Sequence, residues 1–341
     1  MRRLSSILSA VFTLCVILTT ASCEKRPLVE LGHRTQINVR VNIDAISNVT
    51  CDIYNEKIQI PEIKPIAMHV LFFDEYTKEV AAESFISDIS YDDDGTRVLS
   101  GNISIMPGDY KMLVYDFGTE STIVQDYYKW DDCMAFTSEI SPALKRSLIS
   151  KVNEKALEDA YVIHEPDHLV VASKEHENIP YHHEVHIVEA EAQSVVESYY
   201  LQIKVVGLEY VSSAQAILSG MVNGNMISSN TKIVEPQATI WFDMEKSDDK
   251  GEPVICTIFN TFGRIEDSEN ELEVTFDLKT HDGRTIQKSF DLSELFLSPD
   301  CVNHHWLLLE ETITIEPPQV EGGGFAPEVN DWEEEHRDLY I

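Results

Sequence analysis

Glu271-Leu272-Glu273-Val274-Thr275-Phe276-Asp277-Leu278 decides how this chain folds. Leu272, Val274, Phe276 and Leu278 fall on one side of an extended backbone, while Glu271, Glu273, Thr275 and Asp277 fall on the other. That period of two marks a half-buried β-strand with a solvated polar face. Thr280-His281-Asp282-Gly283 follows as a hairpin turn into a second strand over Thr285 to Phe290.

The same pattern extends in both directions. Downstream, Trp306 to Ile315 is a closing strand before Pro317-Pro318. Upstream lie Val254 to Phe259, Ala238 to Met244, and a strand through Tyr200, Ile203 and Val205 that Gly207 ends. In the first half, Ile37, Val39, Val41 and Ile43 alternate with Asn38, Arg40 and Asn42. Ile66 to Phe73 is an apolar run broken only by His69, and Asp74 to Lys78 turns the chain into Val80 to Ile86. Asp92-Asp93-Asp94-Gly95 is a further turn, and strands through Ile103 and Ile105 and through Met112, Val114 and Tyr115 follow. Short, evenly spaced strands with turns between them indicate an all-β chain of two tandem β-sandwich domains. One helix interrupts the first. Ser141-Pro142 supplies its N-cap and first residue, Leu144, Leu148, Val152 and Ala156 its apolar stripe, and Lys145, Arg146, Lys151 and Lys155 a basic face. The expected divisions are 1–22 signal peptide, 23–33 tether, 34–197 and 198–318 sandwich domains, and 319–341 an acidic, glycine-rich tail.

Composition narrows the function. The 341 residues carry 26 Lys and Arg against 59 Asp and Glu, a formal charge of −33, with 43% hydrophobic residues. This is enough apolar material for a core, and far too acidic for a phosphate backbone, so nucleic acid is not an expected partner. Electrostatic attraction to anionic lipid is excluded on the same ground.

The first residues supply an address. Met1-Arg2-Arg3 is a basic start, Ile7 to Leu18 is uncharged and apolar, and Thr20-Ala21-Ser22-Cys23 has the small residues of a signal-peptidase site. Cysteine directly after Ala-Ser is the arrangement of a bacterial lipoprotein signal, although Thr20 stands where leucine is usual. Cys23 is therefore the expected lipidation residue, and lipid the expected membrane partner. Cleavage there removes Arg2 and Arg3 and takes the formal charge from −33 to −35.

Cys51, Cys133, Cys256 and Cys301 remain. One disulfide in each half (Cys51 with Cys133, Cys256 with Cys301) and buried thiols are both compatible with an exported chain. The sequence lacks GxSxG, GxxxxGK[ST], HExxH and CxxC patterns, so no enzyme activity and no cofactor are expected. Histidine is the local anomaly. His164, His168, His176, His182, His183 and His186 crowd one stretch, and an extended backbone would set His182, Glu184 and His186 on one face as weak metal-ligand candidates. A resident metal is not expected.

Several short pieces resemble Bacteroidales fimbrillin-like lipoproteins, the anchor and accessory subunits of type V fimbriae. They are Cys23-Glu24-Lys25-Arg26-Pro27-Leu28, Val70-Leu71-Phe72-Phe73-Asp74, Pro107-Gly108-Asp109-Tyr110 with Val114-Tyr115-Asp116-Phe117-Gly118, and Glu165-Pro166-Asp167-His168. In the second half they are Val206-Gly207-Leu208, Leu218-Ser219-Gly220-Met221, Phe262-Gly263, and Gly322-Gly323-Gly324-Phe325 with Asp331-Trp332-Glu333. The resemblance implies transthyretin-like sandwiches, a lipid anchor in the outer membrane, and strand exchange with other fimbrial subunits. Structural pilins of that group are matured after an arginine near the N-terminus. Cleavage at Arg34 or Arg40 would remove Cys23 and make this chain a stalk subunit instead. The alternative reading is a cell-surface lipoprotein that binds glycan or protein.

Overall fold

Alternating residues sort into two sandwiches because each strand must bury its apolar side against a second sheet. The computed structural model describes residues 33–43, 54–58, 63, 65–117, 119–149, 160–181, 183–266 and 272–318. The signal segment, Cys23, Cys51, His182 and the tail 319–341 lie outside them.

The first half contains β1 (Thr35–Asn42), β2 (Met68–Asp74), β3 (Val80–Ile86), β4 (Asp88–Tyr91), β5 (Arg97–Ile105) and β6 (Gly108–Asp116). After these come β7 (Thr122–Gln125), β8 (Met134–Thr137), helix α1 (Pro142–Ile149), β9 (Tyr161–His164), β10 (Val170–Ile179), β11 (His186–Glu191) and β12 (Gln193–Ser194). One sheet has the order β11-β1-β5-β4 and the other β12-β10-β6-β2-β3. Ile37, Val39 and Val41 face Val70, Phe72, Met112 and Val114 in the core between them.

The second half runs through β13 (Glu197–Val206), β14 (Val211–Met221), β15 (Gly224–Met226), β16 (Thr231–Ile233), β17 (Ala238–Asp249) and β18 (Glu252–Thr261). It closes with β19 (Glu273–Thr280), β20 (Thr285–Asp291), helix α2 (Pro299–His304) and β21 (Trp306–Thr314). β17 serves both layers. Its residues from Ala238 to Met244 pair with β14, and those from Glu245 to Asp249 pair with β18. The layers therefore run β20-β19-β14-β17 and β17-β18-β13-β21 around a core that includes Leu201, Ile203, Phe242, Phe259, Val274 and Phe276.

Set side by side, the two halves are one topology used twice. In each, the first strand pairs in parallel with the last (β1 with β11, β13 with β21) and antiparallel with the strand that follows the corner (β5, β18). The corner itself is β3 followed by β4 in one half and the bent β17 in the other. β2, β6 and β10 correspond to β14, β19 and β20.

The stretch from Met68 to Phe73 is apolar except at His69 because β2 is buried on both faces, while Ile66 before it is exposed. Val70 and Phe72 fill the first sandwich, while Leu71 and Phe73 join Trp130, Val222, Ile227 and Phe262 in a cluster between the halves. The N-cap is as expected, with Ser141 Oγ accepting the Leu144 N–H at 3.2 Å. The helix is described as Pro142–Ile149, so Val152 and Ala156 fall outside the described residues.

The polar face of β19 corrects a reading. Thr275 and Asp277 are buried, not solvated. Helix α1 lies over that outer face, where Leu148, Ile217, Thr275, Asp277 and Gln287 line one small gap. β9 also joins this sheet, pairing in parallel with β17, so a segment that precedes residue 197 packs on the second sandwich. β7 and β8 likewise share a small sheet with β15 and β16.

Candidate functional site

Strand edges are the reactive parts of an all-β surface, because their outward N–H and C=O groups await partners. In the second half, the corner strand is sealed. β9 runs parallel to β17, with Ala238 opposite Tyr161 and Trp241 opposite His164. Val162 closes the outer face with Ile217, and Ile163 enters the sandwich core.

The matching edge in the first half is β3, and among the described residues it stands open. Its approach is held by Glu79 bridging Lys129, by the Val80 N–H donating to Tyr128 O at 3.0 Å, and by the Trp130 N–H donating to Lys78 O at 2.9 Å. Beyond Val80 no strand among the described residues pairs with its outer side. Ala81, Glu83 and Phe85 lie exposed along it, a short row with one carboxylate and no lysine or proline to discourage pairing.

A row of rings borders this edge. His69 on β2 stacks on Phe85 at 4.5 Å and 17°, Phe85 meets Phe117 at 5.0 Å, His69 meets Tyr127 at 5.6 Å, and Tyr127 stacks on Tyr128 at 4.6 Å. The outer members are strongly exposed, Phe85 at 60%, Phe117 at 47% and Tyr128 at 65%. His69 is the inner member. It is buried, its Nδ1 lies 2.8 Å from Tyr115 Oη, and its Nε2 lies 3.4 Å from Glu83 Oε2. Burial holds the imidazole below its ordinary pKa, with Glu83 opposing. Burial also pushes the Tyr115 phenol up.

Glu165-Pro166-Asp167-His168 is a clamp. Asp167 Oδ2 accepts the backbone N–H groups of Glu120 at 2.6 Å and Thr122 at 3.3 Å, and that of Ser121. Burial pushes its carboxyl up, but these donors hold it below the usual range. Glu165 accepts the Asn260 N–H at 3.0 Å across the two halves, and burial pushes it up. Burial holds His168 below its ordinary value, with Asp167 opposing.

Both histidines must charge inside the protein when the pH falls. Each folded pKa lies below the ordinary value of 6.5, so the stability they contribute is complete above that pH and is lost as pH drops through the window beneath it. Glu165 has the opposite sign, its contribution present below 4.5 and lost as pH rises through its raised value. The melting temperature of His69→Gln should therefore drop less than that of the parent between pH 7.5 and pH 5.5. Equal drops in thermal melts at the two pH values would contradict the assignment.

The other predicted residues are dispersed. Cys23 and Cys51 lie outside the described residues. Cys133, Cys256 and Cys301 are buried thiols, placed in three different apolar clusters, so Cys256 and Cys301 are not joined. His182 is outside the described residues, Glu184 is exposed, and His186 opens β11 opposite Ile37. A different group does converge. Glu75, Asp109 and His176 bring ligand atoms within 4.8 Å of one another, with His176 Nδ1 at 3.0 Å from Glu75 Oε2. They come from a turn, the start of β6 and an irregular stretch of β10, so only strand register reveals them. An open groove of about 1020 Å³ beside β21 has several carboxylates in its lining, among them Asp249, Glu252, Asp291 and Glu294, with Lys204, Lys250 and apolar residues such as Trp306 and Leu308. No helix of the described residues is long and apolar enough to cross a membrane.

Arg34 and Arg40 differ in accessibility. Arg34 is exposed just before β1, with its guanidinium donating to Ser104 O at 3.2 Å. Arg40 lies within β1, between β5 and β11, and pairs with Asp92 at 2.6 Å.

Comparison with known proteins agrees with this architecture. The chain is 20% identical over 251 residues to a candidate fimbrium anchoring subunit, Fim4B, of Bacteroides ovatus, a match covering 74% of this chain and 63% of that one. The chain thus spans less than two thirds of that relative's length. A crystal structure of a candidate adhesin from Bacteroides ovatus superposes with a TM-score of 0.59 at 16% identity, covering 87% of this chain and 98% of that one. The fimbrial anchor protein Mfa2 from Porphyromonas gingivalis aligns at 11% identity with a TM-score of 0.45, over 80% of this chain and 88% of that one. The Bacteroides ovatus structure shares this chain's fold. A family model described as Domain of unknown function (DUF5119) matches residues 22–243, and the chain belongs to that family.

Proposed function

We propose that this protein is a lipid-anchored outer-membrane subunit of a type V-like fimbria, an anchor, accessory or tip component. It holds neighbouring subunits by strand exchange and carries out no catalysis. The observation that carries this reading is the match to Fim4B over 74% of the chain. The leader with Cys23 supports the anchor, since acyl chains contribute about 0.8 kcal/mol per buried CH₂ and hold the membrane without a basic surface. The strongly acidic body then stays clear of anionic lipid. An all-β body with an open edge supports strand exchange, in which main-chain hydrogen bonds supply much of the attachment. Of the two arginines, Arg34 is the one a protease could reach, because cutting at Arg40 requires pulling β1 from between two partners.

Metabolic labelling with palmitate tests the anchor. The parent should take up label and partition with outer membranes together with a ladder of fimbrial subunits. Cys23→Ala should lose the label and leave the membrane fraction. Label retained by Cys23→Ala, or a parent recovered alone, would count against this function.

A further inference from the structure

The duplicated topology carries one step more. Each half has a corner strand at the edge of its sheet, and in the second half the chain itself covers that edge with β9. The first half has the same edge in β3, open beyond Val80 among the described residues, with Phe85 and Phe117 exposed beside it. Folding β9 onto β17 buries one aliphatic residue on each face, Val162 outside and Ile163 inside. An edge of the same kind without its strand exposes main-chain groups and apolar side chains together.

We infer that β3 from Ala81 to Ile86 is the acceptor of an extended segment of a second polypeptide, a neighbouring fimbrial subunit, which runs parallel to β3 as β9 runs parallel to β17. The inference rests on the fimbrial reading and names its contact surface. The segment carries two adjacent aliphatic residues. One packs on the exposed rings of Phe85 and Phe117, and the other turns toward the half-buried Ala82 and Ser84 on the sandwich side. Main-chain hydrogen bonds to β3 supply attachment, and the ring row selects an apolar residue over a charged one. His69, stacked behind Phe85 and tied to Tyr115, fixes the ring's orientation before the partner arrives.

The experiment uses the full-length protein in its native membranes, with a photo-crosslinking benzoylphenylalanine placed at Phe85 and, as a control edge, at Lys288 on β20. An adduct with a fimbrial subunit at position 85 and none at 288 is expected. Ala81→Lys and Phe85→Lys change exposed side chains and should keep the parental melting temperature. They should reduce the co-purified subunit roughly tenfold or more, because a lysine on the edge disfavours strand addition. Undiminished co-purification with both variants, or an adduct only at 288, overturns the β3 assignment while leaving the fimbrial reading intact. If the parent brings down no subunit, both fall. Loss of a bound neutral glycan in Phe85→Lys, with subunit capture unchanged, would overturn the assignment in favour of sugar stacking on the same rings.

Discussion

Phe73→Ala is expected to lower unfolding stability by about 3–5 kcal/mol. Phe73 is fully buried, meets Trp130 edge-on at 5.5 Å, and belongs to the cluster that joins the halves. Truncation removes the apolar transfer energy and leaves a cavity whose walls come from both sandwiches, so neither can collapse alone to fill it. Its neighbour supplies the contrast. Phe72 is equally buried but points into the first sandwich, against Tyr110 at 6.0 Å. Phe72→Ala should cost a similar amount while both halves still unfold together. Phe73→Ala should separate the unfolding transitions and open the link between β12 and β13 to protease. Chemical denaturation followed by two probes, with limited proteolysis, checks both. A loss under about 1 kcal/mol, or coincident transitions in Phe73→Ala, would contradict the two-faced burial of β2.

Gly207→Ala should be comparably severe, at about 3 kcal/mol or more. Gly207 ends β13 at φ 82°, in the left-handed region that side chains rarely adopt. A Cβ there would also press on the carbonyl oxygen of Ile315, just past β21, whose N–H donates to Val206 O at 2.8 Å. The closest atoms are the backbone carbonyl of Ile315, which no rotamer change can move away, with the Tyr210 ring beside it at 3.2 Å. Gly251 and Gly283 isolate the conformational part. They have φ of 90° and 84° with nothing within 4 Å of an added Cβ, so their alanine variants should cost about 1 kcal/mol. A Gly207→Ala melting temperature close to those of Gly251→Ala and Gly283→Ala would show that the contact with Ile315 does not matter.

Much of the strand content was legible because local periodicity reports burial. Ile37 to Ile43 alternates, and β1 buries that side alone. Trp306 to Ile315 and Val80 to Ile86 agree with β21 and β3 to within two residues. The pattern fails where distant chain covers a face. Thr275 and Asp277 look like solvent residues, yet α1 arrives from more than a hundred positions upstream to bury them. The edge and its rings were hidden for the same reason. His69, Phe85, Phe117, Tyr127 and Tyr128 lie on β2, on β3, and beyond β6 and β7, and only sheet register assembles them. Two tandem sandwiches were legible, but their common strand order was not, since the halves share topology rather than residues.

The parallel pairing of first and last strands has a mechanical consequence. In each half, tension applied between the start of the first strand and the end of the last pulls two hydrogen-bonded neighbours lengthwise past each other. All ladder bonds between them then bear load together, instead of opening one at a time as in a peeled hairpin. The end of β11 passes almost directly into β13. A pull along the chain is therefore carried through two shear-loaded joints in series, the strong direction of both sandwiches.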